Sequence, residues 1–256
     1  PITNVRTTRT GICALDINGV LGCWTLQQPM GNSWQVEPPI GTEIFTQLDG
    51  GQHFCGTTKT GEAKCWGPEG NGQVNNAPTW SNISKTVAGA YHSCAITVDR
   101  YIECWGSVGH NWVPSPASSP YLDVSAGNRL TCSIELDKTI ECLGKGLFGT
   151  GPVSPPPRTF TSIQSSTSYL YYESGACAID TDGGLSCWGG PDNIFSTISY
   201  DGRPVTAVKV GAAHVCVIDD LGEVWCSNQA TREIGAHKIS LGQSHTCTIL
   251  DDGIVK

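Results

Sequence analysis

Hydrophobic and polar positions along this chain fall into seven copies of one pattern. Aligned on a recurring Cys, an apolar residue stands eight positions later in every copy: Leu21, Ala63, Ile102, Ile140, Leu185, Val224 and Val255. The break between carries turn formers, Asn18, Asp99, Asp137, Asp182 and Asp252, and the position after them is Gly19, Gly61, Gly183, Gly222 and Gly253 in five copies. This reads as strand, three-residue turn, strand, with the last turn residue in the left-handed region. Gly adopts a positive φ there without strain.

A second Cys follows the first by ten positions in six copies: Cys13 and Cys23, Cys55 and Cys65, Cys94 and Cys104, Cys132 and Cys142, Cys177 and Cys187, and Cys216 and Cys226. In the predicted hairpin register the two lie directly opposite each other, about 4.5 Å apart at Cα, which a disulfide accepts. One disulfide per repeat is therefore expected. Copies begin 42, 39, 38, 45, 39 and 31 residues apart, room for about four short strands each. Such a unit cannot bury both of its faces alone, and a ring removes the exposed edges of an open array. The expected fold is all-β, a seven-bladed β-propeller spanning residues 1–256 as one domain, with the last blade incomplete. Cys247 would find its partner one position past Lys256, so a continuation is expected there, leaving room for further domains or subunits.

Composition narrows the function classes. Charged residues are 15% of the chain and the formal net charge is −8, with no run of Lys or Arg, so nucleic acid is not an expected partner. No apolar stretch approaches the roughly 18 residues of a membrane-spanning helix, and no membrane insertion is expected within the chain. The chain opens at Pro1 and holds one Met, so it is not expected to be a primary translation product, and any export signal would already be absent. Thirteen Cys, most of them paired by spacing, point to an oxidising compartment, extracellular or at the cell surface.

Gly89-Ala90-Tyr91-His92, Trp105-Gly106 and the run Trp66-Gly67-Pro68-Glu69-Gly70-Asn71-Gly72-Gln73-Val74 resemble the repeat of the regulator of chromosome condensation family. That resemblance covers nearly the whole chain and implies a seven-bladed propeller. Paired Cys in each blade are similar to its extracellular relatives, the crinkly-type receptor kinase ectodomains and secreted microbial propellers. The nucleotide-exchange activity of the nuclear members depends on loops that have no match here and is not carried over.

Candidate chemistry is sparse. His53, His92, His214 and His245 each precede a first Cys by two positions, a His-x-Cys arrangement that metal sites also use. Gly11, Leu130 and Gly175 replace them in other repeats, which favours a structural His bonded within its own blade, with no metal and no cofactor. Asp180, Asp182, Asp219, Asp220, Asp251 and Asp252 crowd the turns and are read as turn chemistry rather than calcium ligands or paired catalytic carboxylates. No catalytic residue is assigned. Trp24, Trp66, Trp105 and Trp188 follow the repeat and are expected between blades. Trp34, Trp80 and Trp112 break the period, and with Tyr169 and Tyr171, next to Tyr172, they form the candidate binding aromatics. Asn82-Ile83-Ser84 is a glycosylation sequon at Asn82. The expected role is a binding or scaffold module facing an extracellular protein or glycan, with an enzyme inhibitor and a lectin as the alternatives.

Overall fold

The computed structural model describes residues 1–25, 38–39, 41–107, 120–144, 154–167, 175–189, 198, 201–211, 214–227, 229–242 and 245–256. Seven antiparallel sheets follow one another along the chain. The first holds β1 (Ile2–Thr7), β2 (Gly11–Asp16) and β3 (Leu21–Thr25), and the second β4 (Phe45–Gly50), β5 (Phe54–Thr58) and β6 (Ala63–Trp66). The third has β7 (Ile83–Ala88), β8 (His92–Thr97) and β9 (Ile102–Gly106); the fourth β10 (Tyr121–Ala126), β11 (Leu130–Glu135) and β12 (Ile140–Gly144). The fifth has β13 (Phe160–Ser165), β14 (Gly175–Asp180) and β15 (Leu185–Gly189). The sixth adds a fourth strand: β16 (Val205–Val210), β17 (Val215–Asp219), β18 (Val224–Cys226) and β19 (Gln229–Glu233). The seventh pairs β20 (Ala236–Leu241) with β21 (Thr246–Leu250).

The first strands of the sheets touch one another in turn, and β20 returns to β1, so β1, β4, β7, β10, β13, β16 and β20 line a common axis. Seven apolar clusters each join two neighbouring sheets. The cluster that closes the ring packs Val5 and Ala14 of the first sheet on Ile249 of the seventh. The fold is a seven-bladed β-propeller. Among the described residues no helix is long and apolar enough to cross a membrane.

The six expected disulfides all form, each inside one blade. Cys13 bonds Cys23, Cys55 bonds Cys65 and Cys94 bonds Cys104 in the first three blades. Cys132 bonds Cys142, Cys177 bonds Cys187 and Cys216 bonds Cys226 in the next three. In every case the partners face each other across the second and third strands, as the hairpin register requires. Their Cα atoms stand 3.9–4.1 Å apart, a little closer than the expected spacing of an ideal opposed pair. The first Cys of each pair is fully buried, whereas Cys23, Cys65, Cys104, Cys187 and Cys226 on the third strands are partly buried; Cys142 alone on that side is buried. In the chain-entropy model each loop of this size contributes roughly 2 to 3 kcal/mol. Cys247 is a free, half-buried thiol; Lys256 exchanges backbone bonds of 2.8 and 2.9 Å with Thr248, in the register of the other hairpins.

The turn residue six places after the first Cys has a positive φ in every repeat: Gly19, Gly61, Gly183, Gly222 and Gly253, and also Arg100 (68°) and Lys138 (70°). Its carbonyl accepts the N–H that opens the next inner strand, through Phe45 to Gly19, Ile83 to Gly61, Tyr121 to Arg100, Phe160 to Lys138, Val205 to Gly183 and Ala236 to Gly222, at 2.8–3.0 Å. At the opposite rim, the turns between first and second strands come equally close. A Cβ on Gly89 would lie 2.7 Å from the Gly127 carbonyl oxygen, and one on Gly127 2.7 Å from that of Ser166. Gly89 and Gly127, each five places before a first Cys, thus answer to the following blade's backbone, and in the second repeat Gly51, rather than Gly50, makes this approach.

Trp66 and Trp105 are buried and Trp188 partly so, each against the preceding blade. Trp24 departs from the expectation and is 56% exposed, because the blade preceding it is the seventh, whose sheet has two strands. Gly19→Ala is expected to cost at least about 1–2 kcal/mol, the strain of a non-Gly residue in this region, since its Cβ would also run into the Phe45 oxygen. Lys138→Gly relieves that strain and is expected to stabilise by up to about 1 kcal/mol. Urea midpoints of the disulfide-intact chains check both signs.

Candidate functional site

The clusters of potential metal ligands among the described residues are already engaged with other groups. His53 lies with Cys55 and Cys65 in a metal-like group, but both sulfurs are spent in a disulfide and offer no thiolate. Asp201, Asp219 and Glu223 also converge, and the Arg203 guanidinium occupies their midst, 2.9 Å from Asp201, 3.5 Å from Asp219 and 3.6 Å from Glu223. The turn carboxylates brace backbone. Asp16 Oδ1 accepts the N–H groups of Asn18 and Val20 at 2.8 Å, Asp180 Oδ1 those of Asp182 and Gly184, and Asp219 Oδ1 those of Leu221 and Glu223. Burial raises the Asp219 pKa, but these N–H groups, the Trp225 indole and Arg203 outweigh it and keep the group ionised.

The histidines bond across blades, correcting the expectation of a bond within one blade. His53 Nε2 meets Ser93 Oγ at 2.6 Å, His92 Nε2 meets Thr131 Oγ1 at 2.8 Å, and His214 Nε2 meets Thr246 Oγ1 at 3.0 Å. Each hydroxyl stands immediately before the first Cys of the following repeat. Ser93 Oγ donates to the Gln73 carbonyl at 3.0 Å, so it accepts from His53, which fixes the Nε2–H tautomer. Where Leu130 replaces the His, Ala176 replaces the hydroxyl, and the two share a core cluster. At the closing junction the position facing His245 is Ile12, and among the described residues His245 Nε2 has no hydrogen-bond partner.

The Trp66–Val74 run folds back on itself. Glu69 accepts backbone N–H groups from Gly70, Asn71, Gly72, Val74 and Asn75 at 2.5–2.9 Å. Burial pushes its pKa up, yet these donors hold it at about 2. The Gln73 carbonyl then takes Trp105 Nε1 at 2.9 Å, tying the loop to the third blade.

Of the predicted binding aromatics, Trp34, Trp112, Tyr169 and Tyr171, with Tyr172, lie outside the described residues. Trp80 is partly buried against the cluster between the second and third blades. Asn82 is exposed just ahead of β7, and Ser84 Oγ donates to the Ile96 and Thr97 carbonyls.

Two features stand out that the sequence reading did not single out. At the rim of second-to-third-strand turns, Ile17, Val98, Tyr101, Leu136, Leu221 and Ile254 are 49–65% exposed. They alternate with exposed Asp99, Asp137, Asp182, Asp220 and Asp252. Facing the axis, Arg6 pairs with Asp49 at 3.1 Å, Lys85 with Asp123, and Lys209 Nζ donates to Gln164 Oε1 at 2.6 Å.

Comparison with solved structures bears on the fold. The CRINKLY WD40 ectodomain of the Arabidopsis thaliana receptor kinase ACR4 superposes with a TM-score of 0.75 at 21% identity, covering 98% of this chain and 92% of that one. The ectodomain of the Physcomitrella patens receptor kinase CR4 gives 0.66 at 20% identity, over 88% of this chain and 61% of that one. Yeast RCC1 (Prp20), solved bound to Kap60, gives 0.64 at 14% identity, over 88% and 65%. The chain shares the fold of the RCC1-like propellers. Its six disulfides fit the disulfide-containing branch that the resemblance implied. No protein-family model and no curated protein sequence matches the chain.

Burial, with His92 nearby, lowers the His53 pKa to about 3, and burial alone lowers that of His92 to about 4. Both histidines are therefore neutral in the fold. The unfolded chain binds protons first, near pH 6.5, so this stability is complete above that value and is lost as pH falls toward 4. At pH 5 the loss is expected to be about 2 kcal/mol for each of the two, read from urea midpoints at pH 7 and 5. Ser93→Ala strands a buried His53 N–H and is expected to cost about 1–3 kcal/mol. His53→Leu with Ser93→Ala, which copies the Leu130–Ala176 junction, is expected to recover most of that and to halve the acid dependence, His92 keeping its share.

Proposed function

We propose that this chain is a secreted or cell-surface binding module, with no enzymatic activity of its own, that holds a protein partner on the rim of second-to-third-strand turns. The observation that carries this reading is the exposure of apolar side chains there, from Ile17 in the first blade to Ile254 in the seventh. Turn positions need no apolar residue for folding, and exposed apolar groups gathered at one rim mark interaction surfaces. The interleaved aspartates call for a partner whose apolar side chains are bordered by Lys or Arg. Use of the turn carboxylates as backbone braces supports a non-catalytic role. Six disulfides support an oxidising compartment, and the ectodomains of ACR4 and CR4 support a place outside the cell. The Kap60 complex of yeast RCC1 supports protein binding as a use of this fold.

The test is photo-crosslinking in the extracellular fraction of the source organism, with the reactive group at Val98 on the rim or at Arg9 on the opposite one. A defined protein adduct from Val98 alone is expected, weakened at least tenfold by Leu221→Asp with Leu136→Asp, while thermal stability stays unchanged because both side chains are exposed. Capture that survives these changes but is lost on replacing Trp34, Trp80 or Trp112, and is competed by sugar, would assign a lectin acting through the linker aromatics instead. A tight one-to-one complex that silences an enzyme would assign the inhibitor.

A further inference from the structure

Arg6 on β1, Asp49 on β4, Lys85 on β7, Asp123 on β10 and Lys209 on β16 come from five blades, and Lys209 feels the charge of all four others. A residue of the sixth blade comes within electrostatic reach of residues of the first, second, third and fourth together only around the axis that the inner strands line. The two carboxylates of this group are already committed. Asp49 binds Arg6 through Oδ1 and the Ala88 N–H through Oδ2, and Asp123 Oδ1 takes Lys85 and the N–H of its neighbour Val124. Lys209 has a neutral partner, Gln164. An ammonium has three donors, and among the described residues two remain after that bond. Three cations against two anions leave one positive charge uncompensated within the group, in a chain whose formal net charge is −8.

We infer that the propeller axis is a binding site for one small oxyanion, of sulfate or phosphate chemistry, held by the Lys209 ammonium in the positive field of Arg6 and Lys85. Enclosure strengthens such an interaction relative to bulk water, and Lys209, whose hydrogen-bond partner is neutral, has donors to give to it. Burial holds the Lys209 pKa down to about 7, with Arg6 and Lys85 adding to the effect and Asp49 and Asp123 opposing it, as expected of a cation awaiting its counterion. The other charged clusters do not compete for this role: the Asp201–Asp219–Glu223 group is filled by Arg203, and the Glu69 loop is filled by its own carboxylate.

The experiment is isothermal titration of the intact chain with sodium sulfate at pH 6.5 and constant ionic strength, sulfate being chosen because its charge does not change near neutrality. Saturable one-to-one binding is expected, weakened at least tenfold in Lys209→Met and in Gln164→Glu. The second variant sets a carboxylate beside Nζ and supplies the missing counterion, so it keeps the fold even where Lys209→Met does not. Absence of saturable binding in the parent chain, or undiminished binding in both variants, overturns the proposal. A parallel titration with 4-nitrophenyl sulfate identifies the source: binding as tight as that of inorganic sulfate means that the axis admits the charged group of a larger molecule, and loss of binding means that it takes the free ion.

Discussion

Everything in this molecule hangs on one backbone junction, the carbonyl of a left-handed turn residue accepting the N–H that opens the next blade's inner strand. A β-turn ordinarily spends its polar groups on itself or on water. Here the turn of one blade satisfies the first donor of the next, so the hairpin loop is also the hinge pin of the ring. The requirement falls on φ rather than on residue type, which is why Arg100 and Lys138 tolerate the strain that Gly avoids at five other positions. Disulfides complement the junction from the other side. By tying the second and third strands they hold the turn in register, and the carbonyl arrives where the neighbour needs it.

Given that junction, the side chains between blades are free to vary in compensating pairs. A buried imidazole needs a hydrogen-bonding partner, and a hydroxyl one blade away provides it; an apolar pair of similar volume does the same packing with no polar group to satisfy. The His53–Ser93 and Leu130–Ala176 junctions are two answers to one steric problem. His245 facing Ile12, at the point where the ring closes, is a third arrangement, in which no described residue gives the imidazole Nε2 a polar partner.

What could be read from the sequence was what is local. Turn, strand pairing and disulfides all depend on residues within about ten positions of one another, and the repeat multiplied each weak signal by six or seven. What was missed lies one period away or further. The histidine's partner stands some forty residues on, yet it had a sequence signal: Ser93, Thr131 and Thr246 occur in the repeats that follow a His, and Ala176 follows Leu130. Trp24 shares its local context with Trp66, so its exposure follows only from which blade lies beside it. The axial cluster has no local signature at all, because Arg6, Asp49, Lys85, Asp123 and Lys209 are brought together by ring closure alone.

Net charge, too, means different things at different radii. A formal charge of −8 repels a polyanion at a distance. Over a Debye length of about 8 Å that field is largely screened by salt, whereas charges enclosed at the axis are screened far less. The rim and the axis are therefore electrically distinct surfaces: exposed aspartates interleave with apolar side chains on one, while the other sets Arg6, Lys85 and Lys209 around Asp49 and Asp123. Counting charges along the chain averages the two away, and only the ring, by setting inner strands apart from turns, gives each its own sign.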